Sequence, residues 1–316
     1  MLCLVLPQRA AANCDAGERV LKLAGYFDAA HFARFRAEGL LRDTVNREMQ
    51  GRLCLEILRD ESTFKGTLGA KALQAGDADL VVSRYADIAK FSKSYLAFGL
   101  PFAFVGDDAV SGFLAKSKTQ LNEELLKLGF QPMAHLLGRF EQMAGQTVLA
   151  DAGSLAGKRL VAGDQIHFEQ YTELVSATVQ TVRPNGLLAA VKGGEVDVQM
   201  ASWQKLSADG TAKVLGYVTE TNHLFGGYQL LMSRTAWSNL PPKDAGQISE
   251  ISNRIFRQVN FETSNKERGA RLGLMRSGVV VNQLTRQQRK AWRDLVKPIW
   301  DESGLKEQPG LIDRLN

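Results

Sequence analysis

Three arginines lie in or beside predicted strands, where a neighbouring backbone could hold a guanidinium in place: Arg139, Arg159 and Arg183. The planar guanidinium fork matches the two oxygens of a carboxylate and binds them through charge-assisted hydrogen bonds. Structural roles compete with this interpretation. Arg139 suits a salt bridge at the surface or between lobes, and Arg159 suits a solvated strand face. These arginines are therefore candidates for binding a carboxylate.

Polar and aromatic side chains follow several predicted strands, at the ends where open α/β sheets meet their ligands. The candidates of this kind are His31, Tyr85, Gln165 with His167, Gln199 and Trp203, and a further group near the predicted crossover between lobes is Asn222 with His223 and Tyr228. Their rings, hydroxyls and amides suit hydrogen bonding or stacking against a ligand. Each also has an ordinary alternative, such as helix capping for His31, core packing for Trp203 and hinge packing near Asn222.

Motifs for catalysis and metal binding are missing from the sequence. It has no GxSxG, no Walker loop, no GxGxxG after a strand and no paired histidines. Cys3, Cys14 and Cys54 show no CxxC spacing, and the four histidines lie far apart. We therefore expect a protein that is not an enzyme and uses no cofactor or metal. The three cysteines leave room for one disulfide.

Composition narrows the class further. The 316 residues are 45% hydrophobic and 23% charged, as in an ordinary globular protein, and the length favours two lobes. The net charge is +5, but the basic residues are scattered among acidic ones and form no run with interleaved aromatics. This pattern argues against nucleic-acid binding and suits a partner that is a small anion.

The N-terminus resembles the end of an export signal. A short apolar run from Leu2 to Leu6 precedes Ala10–Ala12, but a basic start and a full-length apolar region are missing, so the signal looks truncated. Cys14 also suggests a lipoprotein, although Asn13 before it fits poorly. No later stretch approaches ~18 consecutive apolar residues. We expect an exported, periplasmic protein.

Strand and helix patterns alternate along the first part of the chain. Residues 20–26, 53–58 and 79–83 have apolar strand patterns, with helical spacing between them, which is typical of a parallel sheet covered by helices. The alternation restarts near residue 140. This predicts a second α/β lobe.

Later segments complete the predicted architecture. KVLGYVTETNH and GGYQLLMSR are two strand candidates, as are residues 131–138 and 146–150, and a long helix follows Pro242. Thr285 is a candidate N-cap for a C-terminal helix. The apolar segment before Asp107 predicts a buried stretch, with Asp107 or Asp108 capping a helix that begins near Ala109.

Six stretches, in this order, resemble the DctP-type solute receptors of tripartite ATP-independent periplasmic (TRAP) transporters. They are LKLAGYF, ALQAGDADLVV, LAFGLPFAFVGDDAV, SLAGKRLV, VKGGEVDVQ and LLMSRTAWSNLPP, spread over residues 20–302. The resemblance implies a two-lobed α/β periplasmic binding protein of the flytrap type, with crossover strands and long C-terminal helices. It also implies a cleft that closes on a small organic anion.

The resemblance is weakest at the positions that bind carboxylate in the family. Val161 stands where the family carries an arginine, and Arg159 lies two residues earlier on the same strand face. The family's Gly-aromatic-Arg pattern is matched here by Gly138-Arg139-Phe140, so the arginine comes one place early and Phe140 stands at the arginine position. The stretches RPNG and Gln199-Met200-Ala201 also depart from the family pattern. The departures imply an altered ligand or a decayed anion site.

Together these observations predict a domain plan and a function. The predicted plan begins with a residual signal or tail over residues 1–19. Lobe I is predicted over 20–138 and 227–266, and lobe II with the C-terminal helices over 139–226 and 267–316. We expect a monomeric TRAP receptor that passes a small organic anion or polar metabolite to membrane permease subunits. The alternative is a ligand-binding protein that signals to a membrane kinase, because both roles need a cleft that opens and closes.

Overall fold

The computed structural model describes residues 14–25, 32–59, 68–163, 168–308 and 310–315. The chain divides into two compact units. The first unit is Met1–Ser83, Leu125–Leu136 and Gln229–Val259, and the second unit is Arg84–Glu124, Leu137–Tyr228 and Asn260–Asn316. The plan drawn from the sequence places residues 84–124 in lobe I instead, and it stays a prediction.

The strands of the described residues are short except for two. They are β1 (Arg19–Ala24), β2 (Leu53–Leu58), β3 (Leu80–Arg84), β4 (Phe130–Gly145), β5 (Arg159–Val161), β6 (Thr178–Val179), β7 (Val198–Ala201), β8 (Tyr217–Ser233) and β9 (Val280–Gln283).

The helices alternate with these strands, and one of them is much longer than the rest. They are α1 (Phe32–Glu48), α2 (Leu68–Ala75), α3 (Tyr85–Ile88), α4 (Asp107–Lys127), α5 (Phe168–Leu174), α6 (Leu187–Lys192), α7 (Trp203–Asp209), α8 (Thr211–Leu215), α9 (Arg234–Ser238), α10 (Pro242–Arg276), α11 (Arg286–Leu295) and α12 (Lys297–Glu302). Among the described residues, no helix combines the length and the apolar character that crossing a membrane requires. The mixed α/β class predicted from the sequence is confirmed.

The first unit contains the predicted parallel arrangement. Strand β1 pairs in parallel with both β2 and β3, and the side chains of Leu21 and Leu23 are buried. A disulfide joins Cys14 to Cys54, closing a loop with a sequence separation of 40 residues. The single disulfide that the sequence allowed but did not assign is therefore formed by these two cysteines. It also occupies the sulfur that a lipid anchor on Cys14 would need.

The second unit mixes parallel and antiparallel pairing. Strand β5 pairs in parallel with β6 and β7, whereas β7 runs antiparallel to β4, and β9 pairs in parallel with β8. A hydrophobic core that includes Leu206, Ala212 and Val218 packs beneath these strands, and the partly buried Val161 lies against it. Val161, which the resemblance sets at an arginine position, is thus packed against this core.

Two strands are longer than any predicted from the sequence. β4 has 16 residues and β8 has 17, and each belongs in part to both units. The prediction of a second strand at residues 146–150 is wrong, because this segment follows β4 without pairing as a strand. The start of KVLGYVTETNH is also not a strand, since residues 211–215 form α8 and Gly216, with φ of 89°, ends that helix. Local turn signals misled the prediction.

The apolar segment before α4 is internal, as predicted. Leu100, Phe102 and Phe104 are each buried, whereas Val105 is exposed. Helix α4 begins at Asp107 rather than near Ala109, so both aspartates lie in its first turn. Negative charge there opposes the positive end of the helix dipole.

Candidate functional site

A pocket of about 210 Å³ lies within the second unit. Its walls come from β4 around Arg139, from β8 at Glu220 and Asn222, from the first residue of α7, Trp203, and from the first residue of α4, Asp107. Residues 260–271 of helix α10 form the remaining wall. Three of the candidates from the sequence, Arg139, Trp203 and Asn222, are therefore brought together.

The sequence analysis missed the α10 wall, because it assigned no binding residue to this helix. The residues that line the pocket are Asn260, Thr263, Ser264, Glu267, Arg268 and Arg271. Their separations of three and four residues place them on one helical face. A second, polar periodicity was the available signal.

Arg139 and Glu267 form the central ion pair of the pocket. The Arg139 Nε atom lies 3.8 Å from Glu267 Oε1, close enough for strong attraction but beyond direct hydrogen-bonding distance. Glu267 also accepts hydrogen bonds from the backbone N–H of Trp203 and the side-chain amide of Gln204, both at 2.9 Å. Burial raises the pKa of Glu267, and Arg139 acts against this rise. The carboxylate is held in a fixed orientation at an electrostatic cost.

A second ion pair borders the first. Arg271 donates to Glu220 Oε2 through Nε at 3.1 Å and Nη2 at 3.0 Å, and Gln283 donates to the same oxygen at 3.0 Å. The Arg271 guanidinium also lies 5.7 Å from the ring centroid of Trp203, in a cation–π contact. This arrangement fixes the indole as an apolar wall beside charged groups.

Asn222 is held by a small amide network. Its backbone N–H donates to Gln142 Oε1 at 3.1 Å, its Oδ1 accepts from Gln142 Nε2 at 2.7 Å, and its Nδ2 donates to the Val105 carbonyl at 3.1 Å. The backbone φ of Asn222 is 48°, a left-handed conformation that asparagine tolerates better than most residues. The side chain is therefore positioned by its neighbours before any ligand arrives.

At the rim, Asp107 completes the acidic lining. Burial, with the adjacent carboxylate of Asp108, raises the pKa of Asp107, while the guanidinium of Arg268 acts in the opposite direction. Asp107 and Arg268 both line the pocket.

Other candidates from the sequence lie elsewhere. Arg159 donates through Nε and Nη2 to the two oxygens of Asp197, at 2.8 Å each, so this carboxylate already occupies its fork. Gln199 is buried and bonds Asp209 and Thr211. Arg159 and Gln199 are both outside the pocket lining.

Tyr85 is a core residue rather than a rim residue. It is 2% exposed and stacks on Phe98 with ring centroids 4.1 Å apart. Arg183 is exposed and precedes a 3-10 turn at Pro184–Gly186, outside the pocket lining. His31, Gln165 and His167 fall outside the described residues.

The comparison with known families covers most of the chain. Residues 27–307 match the family described as bacterial extracellular solute-binding protein, family 7, or DctP. The chain is 28% identical over 295 residues to the C4-dicarboxylate-binding periplasmic protein DctP of Vibrio cholerae. This alignment covers 93% of this chain and 89% of that protein.

Solved structures show the same fold. A TRAP periplasmic solute-binding protein from Ochrobactrum anthropi aligns with a TM-score of 0.82 at 18% identity, over 95% of this chain and 93% of that one. Another from Pseudomonas aeruginosa, solved with bound L-malate, aligns with a TM-score of 0.71 at 21% identity, over 89% and 99%. The resemblance noted in the sequence is confirmed, and the chain belongs to family 7 of the bacterial extracellular solute-binding proteins, the DctP family.

Proposed function

We propose that this protein is the solute receptor of a TRAP transporter, which captures a small organic acid through Arg139 and delivers it to membrane permease subunits. The observation that carries the proposal is the pocket of the second unit, in a chain of the DctP family, where Arg139, Trp203 and Asn222 converge. Nothing in the family match or the relatives supports the alternative of a kinase-coupled sensor.

The chemistry of the pocket suits capture rather than catalysis. Arg139 supplies a guanidinium that binds a carboxylate, Asn222 supplies a positioned amide, and Trp203 supplies an apolar wall. Each hydrogen bond counts for more in a pocket that excludes water, because the local dielectric constant is lower. The family is one of binding proteins, and we propose that this member also performs no reaction.

An extracytoplasmic location agrees with the covalent structure. The Cys14–Cys54 disulfide is a feature that persists in oxidising compartments such as the periplasm and is rare in the cytosol. The Vibrio cholerae relative is named as a periplasmic protein. Peptide mapping under non-reducing conditions of protein recovered from the periplasm should find the two cysteines linked, and reduced thiols at both positions would contradict this location.

A ligand screen tests the function. The purified chain is heated in the presence of organic acids, including L-malate, succinate and pyroglutamate, since a ligand that binds the native state raises the melting temperature. The dissociation constants of the hits are then measured by calorimetry. We expect at least one small carboxylate to bind, and a complete lack of binding across the panel would overturn the proposal.

Two matched variants locate the binding site. Arg139→Ala should weaken any carboxylate hit more than about tenfold, or about 1.4 kcal/mol. Arg183→Ala removes an exposed arginine outside the pocket lining and should leave the affinity unchanged. Equal affinities of wild type and Arg139→Ala would remove this pocket from the proposal. They would also favour a receptor whose anion site lies elsewhere in the chain.

A further inference from the structure

The pocket of the second unit is balanced in charge. Among the described residues that line it, three are arginines and three carry carboxylates. The arginines are Arg139, Arg268 and Arg271, and the acids are Asp107, Glu220 and Glu267. Their formal charges cancel, although the lining also contains the arginine proposed to hold an anion.

This balance disfavours a dicarboxylate. The three arginines of the lining are already offset by its three carboxylates, so a bound dianion would leave the pocket with a net formal charge of −2, and uncompensated like charges at short range raise the free energy of the bound state. It would also compete with Glu220 for Arg271, which is bonded to that residue through two nitrogen atoms. Breaking a pair and leaving one partner charged and buried is costly.

Arg139 and Glu267 offer a different solution. The 3.8 Å gap from Nε to Oε1 places one cationic and one anionic group side by side on the pocket wall. A carboxylate accepts up to about four hydrogen bonds, and Trp203 and Gln204 supply two of those made to Glu267. Glu267 therefore has capacity for a further donor from a ligand.

We propose that the pocket selects a compact zwitterion such as an amino acid, whose carboxylate binds Arg139 and whose ammonium group binds Glu267. This inference rests on the proposed function and adds the chemical class of the ligand. A zwitterion of net charge zero keeps the pocket neutral, and it gives each member of the central pair a second group of opposite charge at closer range than the 3.8 Å between them.

The electrostatics of Glu267 support this assignment. Burial raises the pKa of Glu267 even though Arg139 lies beside it, so Arg139 compensates the charged form of Glu267 only in part. A ligand ammonium group at hydrogen-bonding distance supplies the missing compensation. The two donors from the start of α7 hold the carboxylate in place, so that little orientation is lost on binding.

Matched ligands test the inference on the full chain. Each skeleton of three to six carbons is offered in three forms, which are the L-amino acid, its 2-hydroxy analogue and the acid with hydrogen at C2. Succinate is added as a dianion. In the wild type, calorimetry should show the best amino acid binding at least about tenfold more tightly than its hydroxy analogue and than succinate.

Glu267→Gln is the matching variant, because it keeps the shape and removes the charge. It should weaken the amino acid at least about tenfold and change the affinity of the hydroxy analogue much less. Glu250→Gln, an exposed acid on the same helix and outside the pocket lining, should change neither affinity. Thermal melts of both variants check that they fold. If Glu267→Gln does not fold, the ligand series on the wild type still tests the inference.

The outcomes separate this inference from the proposed function. If succinate or the hydroxy acids bind the wild type as tightly as the amino acids, the zwitterion is overturned while an acid receptor stands. If Glu267→Gln leaves the preference for the amino acid intact, Glu267 is overturned as its cause. If no acid of any form binds, both proposals fall together.

Discussion

The two faces of strand β8 in the second unit differ in a way that sequence spacing alone does not show. Glu220 and Asn222 line the polar pocket, whereas Thr221 and His223 are fully buried on the other face. Side chains alternate along a strand, so four consecutive residues serve two environments. One face keeps its charges by pairing them, and the other keeps an ionisable ring by holding it neutral.

The buried face is aromatic. The His223 ring lies 6.0 Å from Tyr171 and 6.1 Å from Phe102, measured between centroids, and its Nδ1 is 2.7 Å from the Thr221 hydroxyl. Burial lowers the pKa of His223 to about 3, with a backbone contact to Glu141 acting in the opposite direction. Burial thus disfavours the protonated imidazole, whereas Glu220 on the pocket face keeps its charge beside Arg271.

The largest expected effect tests the backbone that both faces share. Gly138 precedes Arg139, and a Cβ atom at this position would lie 1.1 Å from the Gly226 carbonyl oxygen on β8. Gly138→Ala should therefore lower the free energy of unfolding in urea by about 3 kcal/mol, because backbone must move.

Gly226→Ala is the control for this change. A Cβ atom on Gly226 would meet nothing within 4 Å, and the stability should change by less than about 1 kcal/mol. Similar losses for the two variants would show that the close approach of β4 and β8 is not what requires glycine at 138.

The second prediction concerns the buried face and pH. The pKa of His223 is lowered from 6.5 to about 3 in the folded state, so the unfolded state binds more protons between these values. The contribution of His223 to stability is fully present above pH 6.5. As the pH drops from there towards 3, the free energy of unfolding falls by about 1.4 kcal/mol per pH unit.

His223→Phe should reduce this slope, because the ring no longer titrates. Urea titrations at pH 7, 6, 5 and 4.5 measure it. Thr221→Val keeps the histidine and removes only its hydroxyl neighbour, so its slope should stay close to that of the wild type. If wild type and His223→Phe lose stability in parallel, the contrast between the two faces of β8 does not hold.

A third, smaller effect is expected on the pocket face. Asn222→Ala loses the amide bonds to Gln142 and Val105 and places alanine at a φ of 48°, so it should cost about 2 kcal/mol of unfolding free energy. Asn222→Gly loses the same bonds without the backbone strain and should cost about 1 kcal/mol. If glycine proves the worse replacement in urea unfolding, the left-handed backbone is not a constraint here.

The smallest effect is expected outside both faces. Asp197→Asn removes the partner of Arg159, whose side chain is 41% exposed, and screening by water and salt weakens such pairs. The melting temperature should shift little, and less again at high salt. The affinity for any ligand found in the screen should be unchanged, and a clear loss would return Arg159 to the list of binding residues.

Much of the fold was predictable because local patterns agree with it. The three strands of the first unit, the long helix after Pro242 and the N-cap at Thr285 are confirmed, and Thr285 forms a capping box with Gln288. The lengths of β4 and β8 were not predictable, since the strand predicted over 131–138 ends at Gly138, and Gly226 and Gly227 stand where a new strand was predicted to begin. Pairing with neighbouring strands overrides those signals.

The candidate site was only partly predictable. Arg139 and Arg159 have the same side chain and similar strand positions. Asp197 forms a bidentate pair with Arg159, whereas Glu267 lies 3.8 Å from Arg139. These partners lie 38 and 128 positions away, so no local pattern could tell them apart. Tyr85 likewise became a core residue because Phe98 covers it.

The sequence by itself determined the family, the alternating α/β architecture and the absence of recognised catalytic motifs, since these depend on short motifs and local periodicity. Only the tertiary structure decided which arginine reaches a pocket, that α10 supplies its polar wall, and that acids there equal arginines in number. The physical reason is that a side chain's charge is set by its type, whereas its partner and its burial are set by residues far along the chain.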